Sequence, residues 1–159
     1  MSAPQVNLLG DEWDDERDRR GWQWKRLQVG SRLGARQLGA SLYELEPGQK
    51  TFPFHYHHAI EEWLVVLRGE PTLRDQSGER RLSTGDCVVF PRGPGGAHQV
   101  RNDTEEPVRL LMMSSAAEVE IAVYPDSGKI GAMARVEGVD PFRLVVRQES
   151  AVDYFDGEE

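Results

Sequence analysis

From about Trp22 onward, apolar and polar residues alternate in short segments instead of recurring at helical spacing. Successive side chains of a strand point to opposite faces, so such alternation is typical of strands. The predicted strands are Gln23–Val29, Ala40–Leu45, Glu62–Leu67, Pro71–Asp75, Cys87–Phe90, His98–Arg101, Val108–Met113 and Val119–Tyr124. Short segments rich in Gly, Pro, Asn and Asp separate them. Strands at a spacing of roughly 8–12 residues with turns between them indicate an all-β sandwich or barrel.

Helices have little room in this pattern. Only Leu9–Arg20 and the far C-terminus leave space for one. A chain of 159 residues with ordinary apolar content suffices for one domain with a proper core. We therefore predict a β-barrel over residues 22–126, a charged N-terminal extension over 1–21, and a C-terminal extension over 127–159. The last has enough apolar residues to pack on the barrel or on a second subunit.

The net charge of −8 is concentrated at the two ends of the chain. Six acidic and three basic residues lie in 11–20, five acidic residues lie in 149–159, and the remainder is balanced. This distribution argues against nucleic acid or an anionic membrane as a partner. The N-terminal sequence lacks the profile of a signal peptide, and no apolar run has the length of a membrane helix, so a cytoplasmic protein is expected. The single cysteine, Cys87, lies in an apolar strand and is expected to be buried.

Three of the four histidines lie in the stretch PFHYHHAIEE, residues 53–62. On a strand His55 and His57 point to one side, and His58 points to the other. Glu61 and Glu62 are neighbours, so at most one of them can join the two histidines. Both faces of the following run are apolar, so alternation does not choose between the two glutamates. The same pattern predicts that this strand is covered on both sides.

The fourth histidine, His98, opens a later strand after a loop rich in Pro and Gly. A neighbouring strand of a barrel would bring it to the first pair. Three imidazoles and one carboxylate suit iron, manganese, nickel, copper or zinc, and contain too much nitrogen for calcium or magnesium.

Two spaced motifs make the sequence similar to the cupin superfamily. The first motif runs from glycine through His-x-His and Glu to a second glycine, and here consists of Gly48, His55, His57, Glu62 and Gly69. One extra residue follows the first glycine. The fixed spacing to the last glycine favours the second of the two adjacent glutamates.

The second cupin motif consists here of Gly85, Pro91, Gly93, His98 and Asn102. Four residues, instead of the usual two, separate the motif glycine from the histidine. The C-terminal part also resembles a bacterial group of single-domain cupins that has no assigned reaction.

The resemblance implies a cupin-type jelly-roll barrel that holds a divalent transition metal through His55, His57, Glu62 and His98. Four protein ligands on an octahedral ion leave two positions for a reaction. Further residues are candidates for contacts with a small-molecule substrate: Gln99, Arg101, Arg92 and Tyr43.

Two functions remain open on the sequence alone. The first is a metal-dependent enzyme, namely a dioxygenase, isomerase or decarboxylase acting on a small molecule such as a sugar derivative. The second is a binding module that captures a sugar-like ligand, with or without a metal, and performs no reaction. No separate general base is identifiable, so the catalytic residues are unknown. A homodimer through the outer strands is expected, because open sheets must cover their edges and apolar outer faces.

Overall fold

The structure is a computed structural model and describes residues 2–158 of the chain. In chain order, the strands are β1 (Asp15–Arg17), β2 (Trp24–Leu27), β3 (Leu38–Leu45), β4 (Tyr56–His57), β5 (Glu62–Arg68), β6 (Thr72–Asp75), β7 (Gly78–Arg81), β8 (Cys87–Phe90), β9 (Gln99–Arg101), β10 (Val108–Ser115), β11 (Val119–Tyr124), β12 (Lys129–Ala134) and β13 (Phe142–Arg147). The expected all-β jelly-roll fold is confirmed, and each of the eight predicted strands is present. Five further strands, β1, β4, β7, β12 and β13, were not predicted.

Helical structure is confined to single turns in the described residues. An α-helical turn spans Val29–Arg32, and 3-10 turns span Pro94–Gly96, Pro125–Ser127 and Gln148–Ser150. The segment Leu9–Arg20 therefore does not form the helix for which the sequence left room. In its place, β1 pairs with β2, and the Asp15 carboxylate accepts hydrogen bonds from Arg26 across this pair. Cross-strand charge pairing stabilises a segment that has no apolar face for a helix to bury.

The strands form three sheets. The largest has the order β1-β2-β3-β10-β5-β8, the second β13-β12-β11-β4, and the third β7-β6-β9. The β10 strand pairs with β3 on one side and β5 on the other, both antiparallel. The short β4 strand, which contains His57, lies at one edge of the second sheet. His57 of β4 and Glu62 of β5 therefore belong to different sheets, and their side chains approach to 3.3 Å.

The main hydrophobic core lies between the inner faces of the sheets. Leu64 and Val66 of β5 and Leu110 of β10 are almost completely buried in it. These residues occupy alternate positions of their strands, as expected for side chains that point to one face. The core is completed by Trp24, Tyr43, Leu45, Leu73, Leu82, Phe90, Val100, Val108 and Met112.

A second, smaller cluster covers part of the outer face of the largest sheet. Leu27, Val29 and Leu42 form its centre, and Leu67 of β5 packs against it. The N-terminal segment contributes Val6, Leu8 and Trp13 to this cluster. The prediction that β5 is covered on both faces is therefore correct at Leu67, whereas Trp63 at its other end is 45% exposed.

Cys87 is exposed, so the prediction of a buried thiol is wrong. It lies on β8, which is the edge strand of the largest sheet. Within β8, Phe90 is buried and Val88 is half-buried, whereas Cys87 and Val89 point outward. The apolar composition of the strand does not identify its buried face, because both faces carry apolar residues.

A buried arginine attaches the N-terminal segment to the largest sheet. Arg109 of β10 is 3% exposed, and its guanidinium donates to the Glu44 carboxylate at 2.7 Å. It also donates to the Gly10 carbonyl at 2.9 Å, pairs with Asp11, and lies 5.1 Å from the centre of the Trp13 ring. A planar guanidinium can serve several acceptors at once, which a lysine ammonium does less well.

We expect Arg109→Met to lower the free energy of unfolding by about 2–3 kcal/mol, because it removes a buried, multiply bonded charge. The matched control is Arg68→Met, since Arg68 binds the same Glu44 carboxylate but is 53% exposed. An exposed pair of this kind contributes about 0–1 kcal/mol. Urea denaturation of both variants measures the difference. Equal losses would contradict the role given to Arg109.

None of the helices in residues 2–158 has the length and apolar character needed to cross a bilayer. The division into an N-terminal extension, a barrel and a C-terminal extension stays a prediction.

Candidate metal centre

His55 and His98 are held side by side by the backbone. The His55 N–H donates to the His98 carbonyl at 3.1 Å, and the His98 N–H donates to the His55 carbonyl at 2.9 Å. Residues directly opposite each other in an antiparallel pair share a face. Their ring centres are therefore only 4.8 Å apart, and the His57 ring lies at the same distance from His55.

The loop before His98 is longer than in the motif, yet His98 is only 1% exposed. The additional residues form the 3-10 turn Pro94–Gly96, which shortens the path of the chain. The Gly93 N–H donates to the His57 carbonyl at 2.7 Å and so attaches this loop to β4. The Phe90 ring stacks on the His98 ring at 3.7 Å and supports it from the other side.

Glu62 projects from β5 towards the histidines. Its Oε2 lies 3.3 Å from His57 Nε2 and 3.4 Å from His98 Nε2. The potential ligand atoms of His55, Glu62 and His98 all lie within 4.8 Å of one another, so this group could hold a metal ion. Glu61 is exposed, and its carboxylate accepts a hydrogen bond from the Trp63 indole.

Backbone carbonyls orient two of the imidazoles. The Nδ1 of His55 lies 2.8 Å from the Pro53 carbonyl, and the Nδ1 of His98 lies 2.9 Å from the Gly96 carbonyl. A carbonyl can only accept, so in each neutral ring Nδ1 carries the proton. Both Nε2 atoms then keep a lone pair available for a metal, which is the usual arrangement of a metal-binding histidine.

Glu120 orients the third imidazole, and the sequence analysis did not identify it. Its Oε1 lies 3.3 Å from His57 Nδ1 and accepts the His58 N–H at 3.0 Å, and its Oε2 accepts the Ala59 N–H at 3.1 Å. Glu120 is only 5% exposed. The alternation of β11 points the other way, because Val119 and Ile121 form the apolar face of its sequence pattern but are exposed, whereas Glu120 and Ala122 are buried.

The electrostatic environment differs between the three imidazoles. Burial lowers the pKa of His55 to about 3 and also lowers the pKa of His98. For His57, burial acts in the same direction, but the Glu62 and Glu120 carboxylates outweigh it and raise the pKa. Burial acts to raise the pKa of Glu62, and the neighbouring imidazoles more than reverse this effect. Glu62 is therefore ionised at neutral pH, whereas His55 and His98 are neutral, as metal ligands must be.

Two buried atoms of this group lack a hydrogen-bond partner within residues 2–158. They are Glu62 Oε2 and His98 Nε2. A buried polar atom without a partner is costly, and a metal ion is one group that satisfies such atoms. The residues present therefore fit a metal.

A cavity of about 480 Å³ opens onto the cluster and is bordered by His55, His57 and Glu62. Tyr124 of β11 also borders it and stacks on His55, with ring centres 5.8 Å apart and an angle of 18° between the planes. Burial raises the pKa of Tyr124, although the charge of Arg143 opposes this effect. Burial also raises the pKa of Tyr43, another lining residue. The remaining lining is Arg17, Gly39, Ala40, Ser41, Phe52, Pro53, Met112, Met113, Ser114, Ala122, Lys129, Met133, Arg143 and Val145.

Of the four predicted substrate contacts, the structure brings only Tyr43 to this cavity. Gln99 is buried, and its amide donates to the Phe52 carbonyl at 2.9 Å. Arg101 forms ion pairs with Glu79 and Asp103, and Arg92 is exposed on the loop before His98. The side chains of these three residues therefore point away from the cavity, although all three lie close to His98 in the sequence.

Comparison with known proteins agrees with this geometry. A family model for the cupin domain matches residues 41–114, which include all four predicted metal ligands.

Two solved structures are similar over most of the chain. A sugar phosphate isomerase of the cupin superfamily from Silicibacter pomeroyi has 28% sequence identity and a TM-score of 0.79, and the match covers 93% of this chain and 95% of that one. A protein from Acidithiobacillus ferrooxidans, named for a proposed sugar phosphate isomerase activity, has 25% identity and a TM-score of 0.74, with 86% of each chain covered.

One similar protein is named for the ligand that it binds. Auxin-binding protein 1 of Arabidopsis thaliana is 28% identical over 131 residues, which are 77% of this chain. The matched part spans only 65% of the length of that protein.

Proposed function

The chain belongs to the cupin superfamily, and we propose that it is a metal-dependent enzyme that isomerises a small, oxygen-rich substrate. The proposed metal ligands are the Nε2 atoms of His55, His57 and His98 and the carboxylate of Glu62. The observation that carries the proposal is the pair of buried, unpartnered atoms, Glu62 Oε2 and His98 Nε2, beside the large cavity. A shared cation would satisfy both atoms at once.

A divalent transition metal at this site would act as a Lewis acid on substrate oxygen atoms. The chain itself supplies the orientation. Pro53, Gly96 and Glu120 hold the Nδ1 side of the three rings, so the rings do not rotate away when substrate exchanges. Tyr43 and Tyr124 are neutral at pH 7, since the ordinary pKa of a phenol already lies near 10 and burial raises the pKa of both further, and each can donate a hydrogen bond to a substrate oxygen.

Isomerisation is favoured over the other reaction types by the two solved structures whose names refer to it. It also requires no second substrate. A proton leaves one carbon and another is delivered to the adjacent carbon, while a hydroxyl proton passes to the former carbonyl oxygen, so atoms and electrons balance within one molecule. The cavity has the size of a typical small-molecule site.

We expect the purified protein to bind one transition metal per chain and to melt at a lower temperature after chelation. Free metal at about 100 times its Kd stabilises the folded state by about 2.7 kcal/mol, which corresponds to about 5–10 °C in Tm for a chain of this size. Elemental analysis and calorimetry with and without a chelator measure both effects. Protein that binds no metal and melts identically in both conditions would contradict the proposed function.

A non-catalytic binding module is the second candidate, and the similarity to an auxin-binding protein favours it. The same cavity could hold a ligand without chemistry. Proton exchange with deuterated water separates the two functions. An isomerase incorporates solvent deuterium into a substrate carbon, whereas a binding module leaves the ligand unlabelled.

The expected homodimer stays a proposal, and the outer face of β13 supports it. Phe142, Leu144 and Val146 alternate along this edge strand and are each at least 40% exposed. An exposed apolar edge strand is a surface that proteins usually cover.

A further inference from the structure

The cavity at the metal centre is positively charged, although the chain is acidic. Its lining within residues 2–158 includes Arg17, Lys129 and Arg143, and only one carboxylate, that of Glu62. The net charge of the whole chain is −8. Positive charge is therefore concentrated at the one large cavity that contacts the histidine cluster.

The register of the second sheet explains why two of these cations face the cavity. Lys129 lies opposite Tyr124, and Arg143 lies opposite Met133, which in turn is four residues from Lys129 on β12. Opposite residues, and residues at even spacing, share one face of a sheet. Gly131 lies between the two cations on this face, and the Tyr124 ring packs over it, since a Cβ there would lie 3.5 Å from that ring.

These cations are not neutralised by the rest of the described chain. Arg17, Lys129 and Arg143 take part in none of the ion pairs formed within residues 2–158, whereas Arg101 and Arg109 each bind two carboxylates. Lys129 is half-buried, and its ammonium lies 5.4 Å from the centre of the Tyr124 ring. The Arg17 guanidinium lies 4.7 Å from the Trp24 ring. Aromatic rings position a cation without cancelling its charge.

We infer that Lys129 and Arg143, with Arg17 at the rim, form a subsite for the phosphate group of a small phosphorylated substrate. The inference rests on the proposed function, in which oxygen atoms at the other end of the substrate approach His55, His57 and Glu62. A phosphate monoester is mostly a dianion at pH 7.5. Arginine offers a planar pair of donors and lysine a compact charge, and both bind phosphate oxygens strongly.

The distances agree with a substrate that reaches from the histidine cluster to Lys129. Tyr124 neighbours both ends, since its ring centre is 5.8 Å from that of His55 and 5.4 Å from the Lys129 ammonium. A chain of a few carbons reaches across one aromatic ring. The phosphate would thus lie beside Tyr124, with the reacting carbons next to the metal centre.

Isothermal titration calorimetry with a hexose 6-phosphate, the unphosphorylated hexose and inorganic phosphate tests this subsite. We expect the hexose 6-phosphate to bind at least about 30-fold more tightly than the hexose, and inorganic phosphate to compete with it. Lys129→Gln and Arg143→Gln should each weaken hexose 6-phosphate binding about tenfold or more and leave hexose binding unchanged.

The matched control is Arg147→Gln. Arg147 lies on the same strand and face as Arg143, opposite Lys129, and its substitution removes the same charge. Its guanidinium, however, donates to the Ser127 carbonyl, lies 3.8 Å from the Glu149 carboxylate and does not line the cavity. It should leave hexose 6-phosphate binding within about twofold of the unmodified protein. Circular dichroism melts of all three variants verify that they fold.

Three results would overturn the inference. These are equal binding of the hexose and its 6-phosphate, an equal loss in Arg147→Gln, and tighter binding of malonate than of inorganic phosphate. Repeating the titration of inorganic phosphate on chelated protein separates this inference from the proposed function. Phosphate binding that persists without metal, and is lost in Lys129→Gln, supports the subsite even if the metal-dependent reaction proves absent.

Discussion

Replacing Glu62 by glutamine should abolish stoichiometric metal binding, with a loss of affinity of at least about 100-fold. Substitution of residues that merely support metal ligands costs about 10–100-fold, and Glu62 is proposed as a ligand itself. An amide keeps the shape of the side chain but removes the negative charge that faces His57 and His98 at 3.3 and 3.4 Å. Elemental analysis after gel filtration, and metal titration by calorimetry, measure the loss.

The adjacent residue provides the control for this substitution. Glu61→Gln makes the same chemical change one position earlier, on the opposite face of the strand, where the side chain is exposed and bonded to Trp63. Metal content and affinity should remain those of the unmodified protein. Loss of metal in Glu61→Gln with retention in Glu62→Gln would show that the ligand has been assigned to the wrong glutamate.

A second large effect is expected for Gly96→Ala. A Cβ at Gly96 would lie 1.8 Å from the Pro91 carbonyl oxygen, a backbone atom that can move away only if the loop before His98 shifts. The same residue provides the carbonyl that accepts the His98 Nδ1 proton. We expect a loss of about 3 kcal/mol or more in the free energy of unfolding, together with weaker metal binding. Urea denaturation and metal titration measure the two effects.

Gly95→Ala tests whether the losses in Gly96→Ala come from local crowding or from any substitution of glycine in this loop. A Cβ at Gly95 meets no atom within 4 Å, and the substitution removes the same conformational freedom from the unfolded chain. Its stability should change by less than about 1 kcal/mol, and metal binding should not change. A comparable loss in both variants would mean that the packing against Pro91 does not position His98.

Much of the fold could be predicted from local patterns. The eight predicted strands were recognisable because they are rich in β-branched and aromatic residues and several of them alternate between apolar and polar positions. The strands β12 and β13 were missed although each has six residues, and they lie in the part predicted as a C-terminal extension. The other missed strands are short, like β4, or polar, like β7, whose residues are all exposed. In such segments backbone pairing with a neighbour decides the conformation, and the side chains carry little signal.

The candidate site was predicted less completely than the fold. The resemblance to the two cupin motifs implied His55, His57, Glu62 and His98, and these side chains lie together in the structure. The substrate contacts were less successful, since Arg92, Gln99 and Arg101 do not line the cavity. All three lie close to His98 in the sequence, and nearness along the chain is a poor guide to which side chains share a cavity.

The sequence by itself determined where the strands run, which two histidines point together, and which residue types are available to bind a metal. These properties depend on the local alternation of a strand and on short motif spacings. Only the tertiary structure decided that Glu120 orients His57, 63 residues away, and that Tyr124, Lys129 and Arg143 share the cavity with the metal centre. The physical reason is that these contacts depend on the pairing and facing of strands distant in the chain, and many registers are compatible with the same local pattern.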